Sequence, residues 1–291
     1  MKLTVAIITK DRYKELERAI HSCIKQNFDD MEFVIIDNGS SDKTIEYLKN
    51  LSIKKLKIYL SDKNLGVSGG RNLAMSLSQG EYIFFLDDDA VIETQDLFVR
   101  LCRYLDDNEN IGALALKVYE EITERYLIGP LQRNNKKQNE VNTLHYIGCA
   151  HVIRRAIFNN NKLYPSKLGY GSEELYASLR IWKRGFIIKY FDDVYIRHIP
   201  SSSNRLNERE RQYNILLNMF IVKMLIYPLF FRIIACIIFL IRLIKNRYFN
   251  FKTLIKLYKD LKYRYQKSEI DRISVLKLIK IGCDFSWAYI L

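Results

Sequence analysis

Glu81-Tyr82-Ile83-Phe84-Phe85-Leu86-Asp87-Asp88-Asp89 is a short apolar run that ends in three carboxylates, and it decides how the remaining residues are read. Tyr82 to Leu86 are all aromatic or branched and follow Gly80 closely, the pattern of a strand buried on both faces. Three acids where such a strand emerges are costly unless a cation meets them. Alternate residues of an extended backbone face the same way, so Asp87 and Asp89 converge while Asp88 points elsewhere. Two carboxylate oxygens on one side suit Mg²⁺ or Mn²⁺, whose coordination is completed by substrate phosphates and water. A solvated turn that caps a helix starting near Thr94 explains the same triplet, and the triplet alone does not separate the two readings.

Working outward, strands and helices alternate. Leu3 to Thr9 reads as a buried strand, Lys14 to Lys25 as a helix and Glu32 to Asp37 as a second strand. The turn pair Asn38-Gly39 follows, with Ser40-Ser41-Asp42 able to cap the next helix. Lys55 to Leu60 makes a third strand. Gly69-Gly70-Arg71-Asn72 opens a helix that ends at Gly80, expected as a left-handed cap. This alternation predicts an α/β fold with a mostly parallel, doubly wound sheet, whose ligands bind beyond the carboxyl ends of the strands. Thr9, Asp37 and Asp87 to Asp89 all lie at such ends. The first strand is followed by Thr9-Lys10-Asp11-Arg12, so neither a dinucleotide GxGxxG nor a Walker A loop is present. Phosphate is then left to the metal, to Arg12 or Arg71, and to the helix N-terminus expected at Gly69-Gly70.

Composition narrows the class. The 291 residues are 48% hydrophobic, enough for one large domain with an appendage. Cys23, Cys102, Cys149, Cys236 and Cys283 are scattered without CxxC spacing, which argues for a reducing compartment. Met1 runs straight into a strand pattern, so a cytoplasmic location is expected, with the cytoplasmic face of a membrane as a variant. The formal charge of +13 is concentrated at the end: residues 201–291 carry 17 Lys and Arg against 6 Asp and Glu, a net of +11. A nearly neutral globular part with a basic tail does not suit a nucleic-acid-binding catalytic face.

Thr9-Lys10-Asp11-Arg12, Ile35-Ile36-Asp37-Asn38-Gly39-Ser40-Ser41-Asp42, Asn64-Leu65-Gly66-Val67-Ser68-Gly69-Gly70-Arg71-Asn72 and Phe85-Leu86-Asp87-Asp88-Asp89 occur in an order and spacing that resemble family 2 glycosyltransferases. The resemblance implies a GT-A fold and an inverting, metal-dependent transfer from a nucleotide-diphosphate sugar. It places Thr9, Arg12, Asp37, Asn64, Arg71, Asp87 and Asp88 at the nucleotide sugar. Asp37 would take the imide N–H of uracil or thymine, Arg71 would face the diphosphate, and Asp87 with Asp89 would form a DXD pair. Lys10-Asp11 departs from the aromatic and Asn of many relatives.

Ile111 to Val118 reads as a further strand, residues 120–142 as a polar loop, and Tyr146 to Ile153 as a strand. The small residues Gly148, Cys149 and Ala150 admit a sugar or acceptor, or merely a packing contact. Gly169 to Arg180 starts a helix capped by Ser172 and ended by Gly185. Two acids in its first turn satisfy the helix dipole on their own. Alignment on Arg180 and Gly185 resembles the ED-x-D-L-x-x-R segment of the family, which implies Glu174, or Glu173, as catalytic base, with Tyr176 in place of a second acid. Phe186 to Phe191 and Val194 to His198 read as two strands leading to Pro200-Ser201-Ser202-Ser203. His198 is either a third metal ligand beside Asp87 and Asp89 or polar surface. No role falls to His21, His145 or His151.

Residues 212–244 are strongly apolar but divided by Pro228 and Arg232 into runs too short to span a membrane, which suggests a kinked helix on the bilayer or on the domain. In residues 251–265, Phe251, Leu254, Ile255, Tyr258, Leu261 and Tyr265 form a stripe opposite Lys252, Lys256, Lys259 and Lys262. Membrane association, a solvated face covering the domain and a protein contact all fit that stripe. The expected organisation is a nucleotide-sugar half (1–110), an acceptor half (111–203) and a helical basic tail (204–291). The expected activity moves a sugar from a UDP or dTDP donor to a hydroxyl of a saccharide, lipid-linked or protein-linked glycan, as in bacterial surface glycoconjugate assembly. A sugar nucleotidyltransferase and a non-catalytic membrane adaptor are the alternatives, and oligomeric state is left open.

Overall fold

The computed structural model describes all residues except 134–140, 159–161, 169, 201–206 and 249. Strands β1 (Leu3–Thr9), β2 (Met31–Asp37), β3 (Leu56–Leu60) and β4 (Tyr82–Asp87) run parallel in the order β3-β2-β1-β4. Alternate side chains serve opposite layers. Val5, Ile7 and Phe84 pack with Leu16 and Ile20 of α1 (Tyr13–Ile24) on one face. Ala6, Val34, Ile36 and Phe85 pack with Ala74 and Met75 of α3 (Gly66–Leu77) on the other. Burial on both faces is why these strands read as continuous apolar runs. The register pairs Thr9 with Asp37 and Ile8 with Asp87, so three strands end at one edge.

Beyond β4 the sheet becomes mixed. β8 (Ala150–Arg154) is antiparallel to both β4 and β6 (Ile111–Glu120), β9 (Ile187–His198) is parallel to β6, and the short β5 (Ala90–Ile92) is antiparallel to β9. β7 (Arg125–Leu127) pairs with the end of β6. Helices α2 (Thr44–Lys49), α4 (Leu97–Asp106) and α5 (Glu173–Lys183) complete the α/β portion. The two halves read from the sequence therefore share one nine-stranded sheet.

Several boundaries differ from the sequence reading. Lys55 has a φ of 59°, a left-handed conformation that keeps it outside β3. The strand expected over 146–153 begins only at Ala150, and the two strands expected over 186–198 are one. Helix α3 opens at Gly66, not at Gly69-Gly70, so Arg71 lies in its second turn and no helix N-terminus stands at the glycine pair. Gly80 is not a left-handed cap: α3 ends at Leu77, and a Cβ at Gly80 would lie 2.5 Å from the Thr4 backbone N. Close approach of β1 is what requires glycine there. Ser172 precedes α5, but its hydroxyl donates to the Ile215 carbonyl and does not cap. The middle of the loop expected over 120–142, Gly169 and Ser201 to Ser203 lie outside the described residues.

The tail forms α6 (Glu208–Ile226), α7 (Leu229–Lys245), α8 (Phe251–Arg264), α9 (Val275–Asp284) and α10 (Trp287–Ile290). Pro228 does not kink one helix but separates two, because the residue before a proline is driven to extended geometry, as at Tyr227 with ψ 149°. Leu217, Ile221 and Leu225 of α6 bury against Leu175 and Leu179 of α5. Residues between α8 and α9 lock onto α5: the Arg180 Nε donates to Asp271 at 2.7 Å, Lys183 also pairs with Asp271, and the Tyr176 hydroxyl donates to the Glu269 carbonyl at 2.7 Å. The inward seam is Leu257 and Leu261 of α8 with Tyr265 just after it, while Phe251, Leu254, Ile255 and Tyr258 of the expected stripe are exposed. Among the described residues no helix is long and apolar enough to cross a membrane.

Candidate active site

The shared edge of β1, β2 and β4 collects the acidic triplet, and each acid meets a cation from this chain. Asp87 Oδ1 lies 3.2 Å from Arg71 Nη2. Asp88 turns the other way, as strand alternation requires, and is buried: its oxygens accept from the Thr9 hydroxyl at 2.8 Å and from Arg12 Nη1 at 2.9 Å. Burial pushes the Asp88 carboxyl up to about 7, with Arg12 acting against that rise. Arg12 Nη1 also reaches Asp89 at 3.2 Å.

His198 arrives through sheet pairing. β5 begins immediately after the triplet and is antiparallel to β9, with Ala90 opposite His198, and the Ile199 N–H donates to the Asp89 carbonyl at 2.8 Å. The His198 Nε2 consequently lies 3.2 Å from Asp89 Oδ1. One ligand atom from each of Asp87, Asp89 and His198 falls within 4.8 Å of the others, a donor set of two carboxylate oxygens and one imidazole nitrogen that fits a Mn²⁺- or Mg²⁺-sized ion. Among the described residues this is the one His, Cys, Asp and Glu cluster with that geometry.

Arg71 joins the triplet to α5. The side chain is 3% exposed. Its Nη1 donates to Glu174 Oε1 at 3.0 Å and lies 3.6 Å from Glu173 Oε1, while Nη2 donates to the Gly148 carbonyl at 2.9 Å as well as to Asp87. The two glutamates differ sharply. Glu173 is 2% exposed, has an unpartnered Oε2, and is pushed up to about 8 by burial and by the charge of Glu174, against the pull of Arg71. The Glu174 side chain is 18% exposed. Gly148 makes room for it: a Cβ there would stand 2.1 Å from Glu174 Oε1. The small residues near 148 thus accommodate a protein carboxylate. Behind them, His151 bonds the Gly148 carbonyl through Nδ1 at 3.1 Å and the Tyr164 hydroxyl through Nε2 at 3.0 Å, so a histidine given no role from sequence braces this loop.

Two further residues expected at the nucleotide shape the turns they stand in. Asp37 is fully buried and accepts from the Gly39 and Ser40 amides and the Ser40 hydroxyl, organising its own turn. Asn64 Oδ1 accepts from the Gly66 amide at 2.8 Å, an Asx turn that starts α3. Beside them Asn38, 5% exposed, donates to the Gly66 carbonyl and keeps Oδ1 buried and without a partner. Its Asn-Gly context marked a turn and hid this acceptor.

An α/β sheet with an acidic triplet at its carboxyl edge, an adjacent carboxylate helix and a mixed second half defines the GT-A class of nucleotide-sugar enzymes. The sequence profile of glycosyl transferase family 2 matches residues 4–161, and the chain belongs to that family. An uncharacterized glycosyltransferase of Haemophilus influenzae is 37% identical over 84 residues, 28% of this chain and 34% of that protein. The UDP-Glc:alpha-D-GlcNAc-diphosphoundecaprenol beta-1,3-glucosyltransferase WfgD of Escherichia coli is 25% identical over 210 residues, 69% of this chain and 79% of WfgD. Among solved structures, GalNAc-T7 with UDP, GalNAc and Mn²⁺ superposes with a TM-score of 0.61 at 18% identity over 77% of this chain and 48% of that one, a likeness of fold.

Proposed function

We propose that the protein transfers a sugar from a UDP- or dTDP-type donor to an acceptor hydroxyl with inversion, in glycoconjugate assembly. The observation that carries this reading is the Arg71 bridge, which sets Glu174 and Asp87 on one guanidinium, so that a proton acceptor stands beside an acid that would hold the metal facing a donor diphosphate. UDP and Mn²⁺ in the GalNAc-T7 structure and the lipid-diphosphate acceptor named for WfgD are consistent with it.

Asp87, Asp89 and His198 would hold a divalent ion, which when bound supplies positive charge opposite the departing diphosphate. Glu174 takes the proton of the acceptor hydroxyl as its oxygen attacks the anomeric carbon from the face opposite the leaving group, and the bond to the diphosphate oxygen breaks. A positioned base contributes about 10²- to 10⁴-fold. Glu173, largely protonated at neutral pH by the shift described above, does not compete for that role. Arg71 holds the Glu174 carboxylate in place and aimed. Asp37 and Asn38, at the end of β2, hold the turn beside which the nucleobase would lie.

A panel of nucleotide sugars with Mn²⁺ or Mg²⁺ tests the reading through the product released. Nucleoside diphosphate supports it. Formation of a nucleoside triphosphate and sugar 1-phosphate when pyrophosphate is added to the nucleotide sugar would instead make the protein a nucleotidyltransferase.

A further inference from the structure

Helix α7 carries an apolar ladder with nothing against it among the described residues. Leu229, Phe230, Ile233, Ile237, Leu240, Ile241 and Ile244 are each half or more exposed, and their spacing of three and four places them along one face over 17 residues. The opposite face, Phe231, Ala235, Phe239 and Leu243, is buried on the tail's own side, so the helix is fixed with the ladder outward. Scattered exposed apolar residues are ordinary, but a continuous helical face is an interaction surface.

Charge identifies the occupant. Between Glu210 and Asp260 the sequence has no acidic residue and nine Lys and Arg. Lys245 and Arg247 stand exposed at the end of α7, and Lys252, Lys256 and Lys259 follow on the solvent side of α8. An apolar ladder followed along the chain by a basic stretch without acids is complementary to anionic lipid: the ladder enters the acyl boundary while the cations meet the headgroups. At about 1.5 Å per residue α7 is about 25 Å long, and one face of it is already committed to the protein, so it lies along the interface and does not cross.

We infer that α7 is the element by which the protein rests on an anionic bilayer, with the α8 lysines as its electrostatic flank. Of the two segments that the sequence offers to a bilayer, residues 212–244 and the α8 stripe, this selects the second helix of the first. The inference does not depend on the proposed chemistry, since neither α7 nor α8 contributes a residue to the active site.

The test uses the full chain and vesicles of phosphatidylcholine alone or with phosphatidylglycerol, in flotation at low and high salt. Expected is salt-sensitive binding to the anionic vesicles, weakened about ten-fold or more by Ile237→Glu with Ile241→Glu, and shifted toward charge-independent weak binding by neutralising Lys252, Lys256 and Lys259 with Gln. Should the double Glu variant misfold, Phe230→Trp keeps the ladder apolar and reports depth: the fluorescence of the introduced indole should be quenched by lipids brominated on the acyl chain. The inference is overturned if the native chain does not float with anionic vesicles, if the folded Glu variant floats equally well, or if that indole escapes quenching on bound vesicles. A dimer that the Glu pair dissociates, with no vesicle binding, would overturn it as well.

Discussion

Arg71 and Glu174, 103 positions apart, meet at 3.0 Å, and the same guanidinium holds Asp87 at 3.2 Å. The proposed donor-side acid and the proposed base on α5 are thus fixed against each other before any substrate arrives. Replacing Arg71 by Met removes the cation that three carboxylates share and should cost about 3–5 kcal/mol of stability, the typical result of breaking a buried charge pair. Urea unfolding of the variant at pH 7 measures it. A loss under about 1 kcal/mol, the level of an exposed ion pair, would show the bridge to be energetically idle.

Glu174→Gln should lower transfer by about 10²- to 10⁴-fold while leaving nucleotide-sugar affinity intact. Glu173→Gln should spare turnover and alter stability instead. The Glu173 carboxyl rises from 4.5 to about 8 on folding, so the native state holds its proton more tightly than the unfolded chain. Its contribution is full below about pH 4.5 and declines as pH rises toward 8. The Gln variant should therefore flatten thermal stability between those pH values, and an unchanged slope would refute the assignment.

Gly148→Ala tests placement without touching charge. The new methyl would stand 2.1 Å from Glu174 Oε1 and 3.0 Å from Arg71 Nη2, so the pair must part and stability should fall, by less than for Arg71→Met because the cation stays. Turnover should fall about 10²-fold, the scale expected for a misplacement of about 1 Å. Single-turnover rates compared with donor affinity separate the two effects.

Asp89→Asn and His198→Ala should each weaken Mn²⁺ binding, detected by the metal's own paramagnetic resonance signal in the absence of any donor, with the Asp89 change the larger because it removes a charged ligand. Affinity for Mn²⁺ equal to that of the native protein in both variants would exclude this cluster as the site.

Asp271 tests the seam between the tail and α5. Burial favours its protonated form, but hydrogen bonds from Lys183 and Arg180 outweigh burial and hold the carboxyl down at about 2. A depressed carboxylate stabilises the fold above its unfolded value of 3.8, and that contribution disappears as pH falls toward 2. Asp271→Asn should cost about 2 kcal/mol at pH 7, the scale of a charged hydrogen bond, and less at about pH 2–3. Thermal melts across the acid range check the sign.

The fold was legible in the sequence where neighbours along the chain determine structure. Apolar runs ending in Thr9, Asp37 and Asp87 announced parallel strands with a common functional edge, and alternation separated Asp88 from Asp87 and Asp89. Side-chain partnerships formed at long range were not legible. That Thr9 and Arg12 are occupied by Asp88, 79 and 76 positions away, depends on β1 and β4 lying together. Helix α7 escaped periodicity analysis because one of its apolar faces is buried and the other is not, so the residues look uniformly hydrophobic in one dimension.

The pairing of Ala90 with His198 has a consequence for the order of events. All three prospective ligands stand on or directly beside ladder-bonded backbone, so capturing an ion demands no folding of a disordered segment and little loss of chain entropy. The resting protein should load its ion ahead of the nucleotide, and initial-velocity patterns should be those of compulsory-order addition.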